Sequence, residues 1–197
     1  MFTGIVESVG NVKTVQASAD HARFAITAPD ILEGVSIGDS IAVEGVCLTV
    51  VAHDESTFEI EAVTETLART SLGTWSEGTA VNVERAMRAD GRFDGHIVQG
   101  HVDGAGTVVE FVPEGEGRRL TIRPPAALLR YVVEKGSVTV SGVSLTVASL
   151  GSDTFDIALI PHTLAVTTLG GLTPGAPVNL EVDVLAKYVE RLTQGTT

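Results

Sequence analysis

The chain is written in short apolar, β-branched runs, each broken after a few residues by Gly, Asp or Pro. That pattern reads as strands of a small closed sheet. The runs predict six strands in the first half: Ile5–Val15, Arg23–Thr27, Ser40–Val43, Leu48–His53, Thr57–Ala62 and Ala80–Glu84. Six more follow in the second: His101–Glu110, Arg119–Ile122, Ser137–Val140, Leu145–Leu150, Thr154–Leu159 and Pro177–Val182. No long helix separates them, which disfavours a βαβ fold. Two short helical turns recur in each half. PDILEGV (Pro29–Val35) pairs with the segment from Pro125 to Val132, each opened by proline. TLARTSLG pairs with TLAVTTLG, each ended by a glycine suited to a helix C-terminus. Near the end of the chain, Leu185, Tyr188, Val189 and Leu192 make an i, i+3, i+4, i+7 stripe. An amphipathic helix of that kind either caps a barrel or packs against copies of itself.

The halves correspond residue by residue. GVCLTV (Gly45–Val50) returns as GVSLTV (Gly142–Val147), TFEI as TFDI, and AVNVE as PVNLE, at an offset of 97 residues (144 − 47). Over Ile41–Glu84, roughly 19 of about 44 positions match their partners without a gap. So long a period means a duplicated domain, not a repeat array. The sequence therefore predicts an all-β protein of two tandem six-stranded barrels and a C-terminal α-helix. Residues 1–92 form the first unit, 93–183 the second and 184–197 the helix, with the join around Met87–Gly95.

Composition narrows the function. Thirteen basic against 25 acidic residues leave a net charge of −12, which disfavours nucleic acid or an anionic membrane as partner. The cluster Arg118, Arg119 and Arg123 follows the turn PEGEG and reads as a solvated strand face. One cysteine excludes an intramolecular disulfide and any CxxC site. The opening residues carry no signal-peptide pattern and no segment has the apolar length of a membrane span, so a cytoplasmic location is expected.

Familiar catalytic motifs fail on context. His96 and His101 are five residues apart, an odd separation that sends strand side chains to opposite faces, so a shared metal site is not expected. One of them should be exposed and the other should line a cleft. GVSLT lacks the second glycine and the following helix of a serine-hydrolase elbow. GAGT lacks the third glycine of a dinucleotide fingerprint. The informative positions are mismatches between twins: Cys47 against Ser144, Glu65 against His162, Ala86 against Asp183 and, with a one-residue shift, Ile5 against His101. Polar groups gather on the second copy, as if two similar clefts had different tasks. Each also has a plainer reading: Cys47 as a small hydrophobe, Asp183 as the N-cap of the terminal helix, and Ser144 and Thr146 as ordinary strand residues.

MFTGIVE, GVCLTV, HIVQGHVDG, GVSLTV, IPHTLAVTTLG and VNLEVD together resemble the riboflavin synthase family over essentially the whole chain. Asp94 departs from the glycine more usual there, a change expected to alter the linker more than the site. The resemblance implies Greek-key barrels, a homotrimer, possible association with lumazine synthase, and no metal or redox cofactor. The implied reaction is dismutation of two molecules of 6,7-dimethyl-8-ribityllumazine, one held by each barrel. Carried over by motif, contacts in the first barrel are Gly4, Ile5, Val6, Cys47, Leu48, Thr49, Glu61, Ala62, Val63, Thr64, Glu65 and Thr66. In the second they are Gly100, His101, Val102, Lys135, Ser144, Leu145, Thr146, Ala158, Leu159, Ile160, Pro161, His162 and Thr163. The reactive centre is expected between the first barrel of one subunit and the second barrel of another. His101 with Thr146 is expected to deprotonate the 7-methyl group, and Ser144, oriented by Asp183, to assist addition to the ring. Cys47 and Phe2 are expected to shape the partner pocket. The alternative is a non-catalytic lumazine- or flavin-binding protein of antenna type.

Overall fold

The computed structural model describes residues 1–18 and 20–194; the last three residues of the segment 184–197 lie outside the described residues. The first barrel contains β1 (Ser8–Ala17), β2 (His21–Thr27), β3 (Ser40–Val43), β4 (Val46–His53), β5 (Thr57–Val63) and β6 (Ala80–Arg85). The second contains β7 (Gly104–Glu114), β8 (Gly117–Arg123), β9 (Ser137–Val140), β10 (Val143–Leu150), β11 (Phe155–Leu159) and β12 (Pro177–Val182). Each closes with the same antiparallel Greek-key order, β1-β2-β5-β4-β3-β6 and its counterpart β7-β8-β11-β10-β9-β12.

Alternation decides which side chains fill each barrel. Along β5, Phe58, Ile60 and Ala62 are buried while Glu61 and Val63 are exposed; along β11, Phe155, Ile157 and Leu159 are buried. Register shifts interrupt β1 between Val12 and Thr14 and β7 between Val108 and Glu110. Others interrupt β4 between Val50 and Ala52 and β10 between Val147 and Ser149. Bulges at matching places bend the strands enough to close so small a barrel.

The barrels meet about an approximate twofold axis. The β3–β4 and β9–β10 turns, Glu44–Gly45 and Ser141–Gly142, have positive φ at both residues (48° and 78°, 47° and 82°), the geometry of a tight two-residue hairpin. These turns touch: a methyl group on Gly45 would sit 2.6 Å from the Gly142 nitrogen. Asn82 donates to the Ser141 carbonyl (2.9 Å) and accepts from the Thr168 amide (2.8 Å). Asn179 does the same to the Glu44 carbonyl (2.9 Å) and the Ser71 amide (2.7 Å). Each such bond contributes about 1 kcal/mol.

Several predicted bounds shift. β1 begins at Ser8 and β7 at Gly104, not at Ile5 and His101, because the residues before them leave their own barrel. The proline-opened turns shrink to single 3-10 turns, Pro29–Ile31 and Leu129–Tyr131. α1 (Thr64–Arg69) and α2 (Pro161–Val166) stop before the predicted glycines. Thr70 and Thr167 end them instead: each hydroxyl donates back to the carbonyl four residues earlier (2.6 Å in both), and each is extended at φ −124° and −134°.

The terminal helix α3 (Val184–Thr193) turns its polar face inward. Lys187 pairs with Asp103 at 2.7 Å and Arg130 with Glu190 at 2.8 Å. Leu185, Tyr188, Val189 and Leu192 point outward, with Leu192 81% exposed.

Candidate active site

Two segments cross between the barrels. Gly4, at φ +77°, accepts a hydrogen bond on its carbonyl from the Ser144 amide of β10 (2.8 Å). Gly100, at φ +76°, accepts from the Cys47 amide of β4 (2.9 Å). Both positions are closed to any other side chain. A methyl group would fall 2.6 Å from Ser144 Cβ in one case and 2.6 Å from Cys47 Cβ in the other, on a backbone that already disfavours Cβ. Val6 packs on the core of the second barrel and Val102 on the core of the first.

The crossing corrects the grouping expected from sequence. Gly4, Ile5 and Val6 belong with Ser144, Leu145 and Thr146. Gly100, His101 and Val102 belong with Cys47, Leu48 and Thr49. The physical reason is that each arm offers a carbonyl to the outer edge of the other barrel's hairpin, Gly4 to Ser144 of β10 and Gly100 to Cys47 of β4, at residues before those that β11 and β5 pair. Of the other residues expected in the first cleft, Glu61–Val63 end β5 and Thr64, Glu65 and Thr66 open α1; of those expected in the second, Ala158–Leu159 end β11, Ile160 follows, and Pro161, His162 and Thr163 open α2. Thr49, Thr146, Val63 and Ile160 are exposed there while Leu48, Ala62 and Leu159 turn into the cores. Lys135 holds a left-handed backbone (φ 63°) where its twin is Gly38 (φ 96°), and its ammonium donates to the Ala148 carbonyl at 3.2 Å.

The polar centre of the second cleft is Ser144 with a residue the sequence reading left without a role. His96 Nδ1 lies 2.7 Å from Ser144 Oγ, and its Nε2 lies 3.3 Å from Thr139 Oγ1. Both partners are hydroxyls, which can donate or accept, so either neutral tautomer satisfies both contacts; the one with its proton on Nε2 turns the Nδ1 lone pair toward the serine hydroxyl. Burial lowers the His96 pKa, opposed by the nearby Asp183 carboxylate, so the neutral form dominates at neutral pH. Room for this contact depends on Gly95, where a methyl group would lie 2.0 Å from the Thr3 carbonyl oxygen. Asp94, the departure noted above, is exposed and pairs with Arg92 at 3.4 Å.

Asp183 does not orient Ser144 directly. Its Oδ1 accepts from the Leu185 amide at 2.9 Å as the N-cap of α3, and its charge favours the protonated form of His96, the partner of Ser144. Of the two histidines, His96 is half-buried beside Ser144 and His101 is exposed, carried on the Cys47 side. That separates His101 from Thr146 and Ser144 within one chain, against the expected pairing. Phe2 is fully buried with Ala42 and Val98, and Cys47 packs on that cluster; Phe2 thus backs the first cleft without lining it. His162 and Glu65 are both exposed, Glu65 in an ion pair with Arg69 at 2.8 Å.

Two buried carboxylates were also missed. Glu84 is the last residue but one of β6 and accepts from the Thr3 amide (2.7 Å), the Thr3 hydroxyl (2.9 Å) and the Gly4 amide (3.0 Å). Its twin Glu181 accepts from the Gln99 amide at 2.7 Å. Desolvation raises both pKa values against these hydrogen bonds. The sequence signal was available: in VNVE and VNLE, an acid recurs at the end of a strand that is otherwise buried.

The lumazine binding domain family matches this chain twice, over residues 3–86 and 99–183. Curated relatives called riboflavin synthase align over nearly the full length. The one from Mycobacterium tuberculosis (strain H37Rv) is 50% identical over 196 residues, 98% of each chain. That from Actinobacillus pleuropneumoniae is 44% identical over 191 residues, covering 97% of this chain and 89% of the relative. Among solved structures, LumP complexed with 6,7-dimethyl-8-(1'-D-ribityl) lumazine superposes with a TM-score of 0.85 at 27% identity, covering 92% of this chain and 99% of that one. LumP complexed with riboflavin gives 0.86 at 29% identity with the same coverage.

Proposed function

This chain belongs to the riboflavin synthase family of enzymes, and we propose that it converts two molecules of 6,7-dimethyl-8-ribityllumazine into riboflavin and 5-amino-6-ribitylaminouracil. A four-carbon unit passes from one lumazine to the other. The two products contain all the atoms of the two substrates, so no oxidant or reductant is consumed. The observation that carries the reading is the pair of clefts built on one plan with different polar groups, Cys47 in one and Ser144 with His96 in the other. Like frames suit two copies of one ligand, and unlike groups suit donor and acceptor.

In this reading the amides and carbonyls of the strand edges bind the pyrimidine edge of each lumazine and apolar side chains cover its faces. His96, neutral and facing the hydroxyl, draws the proton of Ser144 so that its oxygen, or a water it orients, can add to the ring. His101 takes the acidic 7-methyl proton. Since His101 and Ser144 belong to different clefts of one chain, the first cleft of one copy meets the second cleft of another, and Thr146 comes from that second copy. A homotrimer held by the outward stripe of α3 provides the meeting. A cytoplasmic enzyme able to associate with lumazine synthase, with no nucleic-acid or membrane partner, completes the reading; the net charge of −12 supports the last part.

The test is direct. Purified protein incubated with the lumazine should yield one riboflavin for every two lumazines consumed. Lumazine bound but unchanged would replace this reading with the antenna-type binding protein, for which the LumP complexes are the precedent.

A further inference from the structure

We propose that Glu84 and Glu181 are positioning residues that act across the barrel boundary, each fixing the arm that completes the cleft of the opposite barrel. Glu84 is rooted in the first barrel and Glu181 in the second, both buried. The Glu84 carboxylate takes both amides of the Thr3–Gly4 unit, while the Gly4 carbonyl beyond it is held by Ser144 of the second barrel. The Glu181 carboxylate takes the Gln99 amide, and the Gly100 carbonyl beyond it is held by Cys47 of the first barrel. Each arm is thus pinned at its amides by one barrel and at its carbonyl by the other. A fault in one barrel's carboxylate should appear in the other barrel's cleft.

The two clamps are unequal. Thr3 adds a hydroxyl to the Glu84 clamp, and its twin Gln99 has none to offer. Glu84 uses both oxygens, whereas Glu181 Oε2 is buried without a hydrogen-bond partner among the described residues. The amides of Gly100 and His101 lie near enough to favour its ionised form. The arm that carries His101 is therefore held by fewer bonds than the arm that carries Gly4. An amide group in place of the carboxylate would set an NH2 against donors at position 84, but at position 181 it could keep the single acceptor.

The consequence for ligands rests on the proposed lumazine reading; the clamp itself does not, and the experiment separates them. Amide hydrogen exchange, read residue by residue on the full-length protein without ligand, should be about tenfold faster at Ser144 in Glu84→Gln and unchanged at Cys47, one charge-assisted hydrogen bond being lost. In Glu181→Leu the pattern reverses, with faster exchange at Cys47 only, and Glu181→Gln restores it. Should Glu84→Gln not fold, Thr3→Val, which removes only the hydroxyl, must still speed Ser144 by a smaller factor. Titration with 6,7-dimethyl-8-ribityllumazine should then show severalfold weaker binding at Cys47–Thr49 in Glu181→Leu and at Ser144–Thr146 in Glu84→Gln. Faster exchange confined to the amide of the carboxylate's own barrel, equal effects at both amides, or none would overturn the clamp. Absence of lumazine binding to the unmodified protein would remove the ligand reading and leave the exchange result to decide the clamp.

Discussion

Glu44 offers the sharpest test of how the barrels are joined. It lies at the contact between the two hairpin turns, where its twin is Ser141, and it is buried. Its Oε1 accepts from the Asn82 amide at 2.7 Å and the Thr168 hydroxyl at 2.9 Å. Those bonds favour the carboxylate, but burial outweighs them and moves the pKa from 4.5 up to about 7. A carboxyl whose folded pKa is raised contributes its full stability below the unfolded value and loses it as pH rises through the folded one. The window here runs from pH 4.5 to 7, and the difference corresponds to roughly 3 kcal/mol, an upper figure for so buried a group. Glu44→Gln keeps an acceptor for Asn82 and Thr168 and cannot ionise. Urea unfolding of both proteins at several pH values between 5 and 8 isolates the group, because the other raised carboxylates, Glu84 and Glu181, are common to both. The unmodified protein should lose stability relative to Glu44→Gln by about 2.5 kcal/mol between about pH 5 and 8, the rest of the difference lying below about pH 5. A stability difference that stays constant with pH would refute the reasoning.

Other outcomes follow from the same geometry. Ser144→Ala should lower turnover sharply while lumazine binding, measured separately, persists; Cys47→Ser should retain more activity, and equal losses tracking equal losses of binding would sink the division between the clefts. Gly100→Ala forces Cβ to 2.6 Å from Cys47 Cβ at φ +76°, so it should cost at least about 2 kcal/mol in unfolding experiments and disturb the first cleft before the second. Deleting the residues after Val184 exposes no barrel core, since α3 turns its polar face inward, so folded barrels should remain. Light scattering should then show a smaller assembly, the helix contributing on the order of a few kcal/mol per copy, and an unchanged mass would refute its role in self-association.

The amino-acid sequence by itself determined the duplication, the strand count of each barrel and the terminal helix. The β-branched runs and the stripe from Leu185 to Leu192 are local patterns with fixed periods, and comparing one half with the other exposes the repeat. It also marked Cys47 and Ser144 as the positions where equal frames hold different chemistry. Only the tertiary structure decided which arm serves which cleft. Gly4 and Gly100 are twins on twin arms, and nothing in either local pattern distinguishes Ser144 from Cys47 as the amide each should meet. That choice depends on how two closed barrels pack about their shared turns. The same holds for His96, which reaches Ser144 only because Gly95 admits close contact between a linker and a strand 48 residues further along. It holds for Asp183 too, whose nearest donor is the amide of its own helix. A contact made between elements distant in sequence leaves no period to read, so its partners appear only when the chain is closed in space.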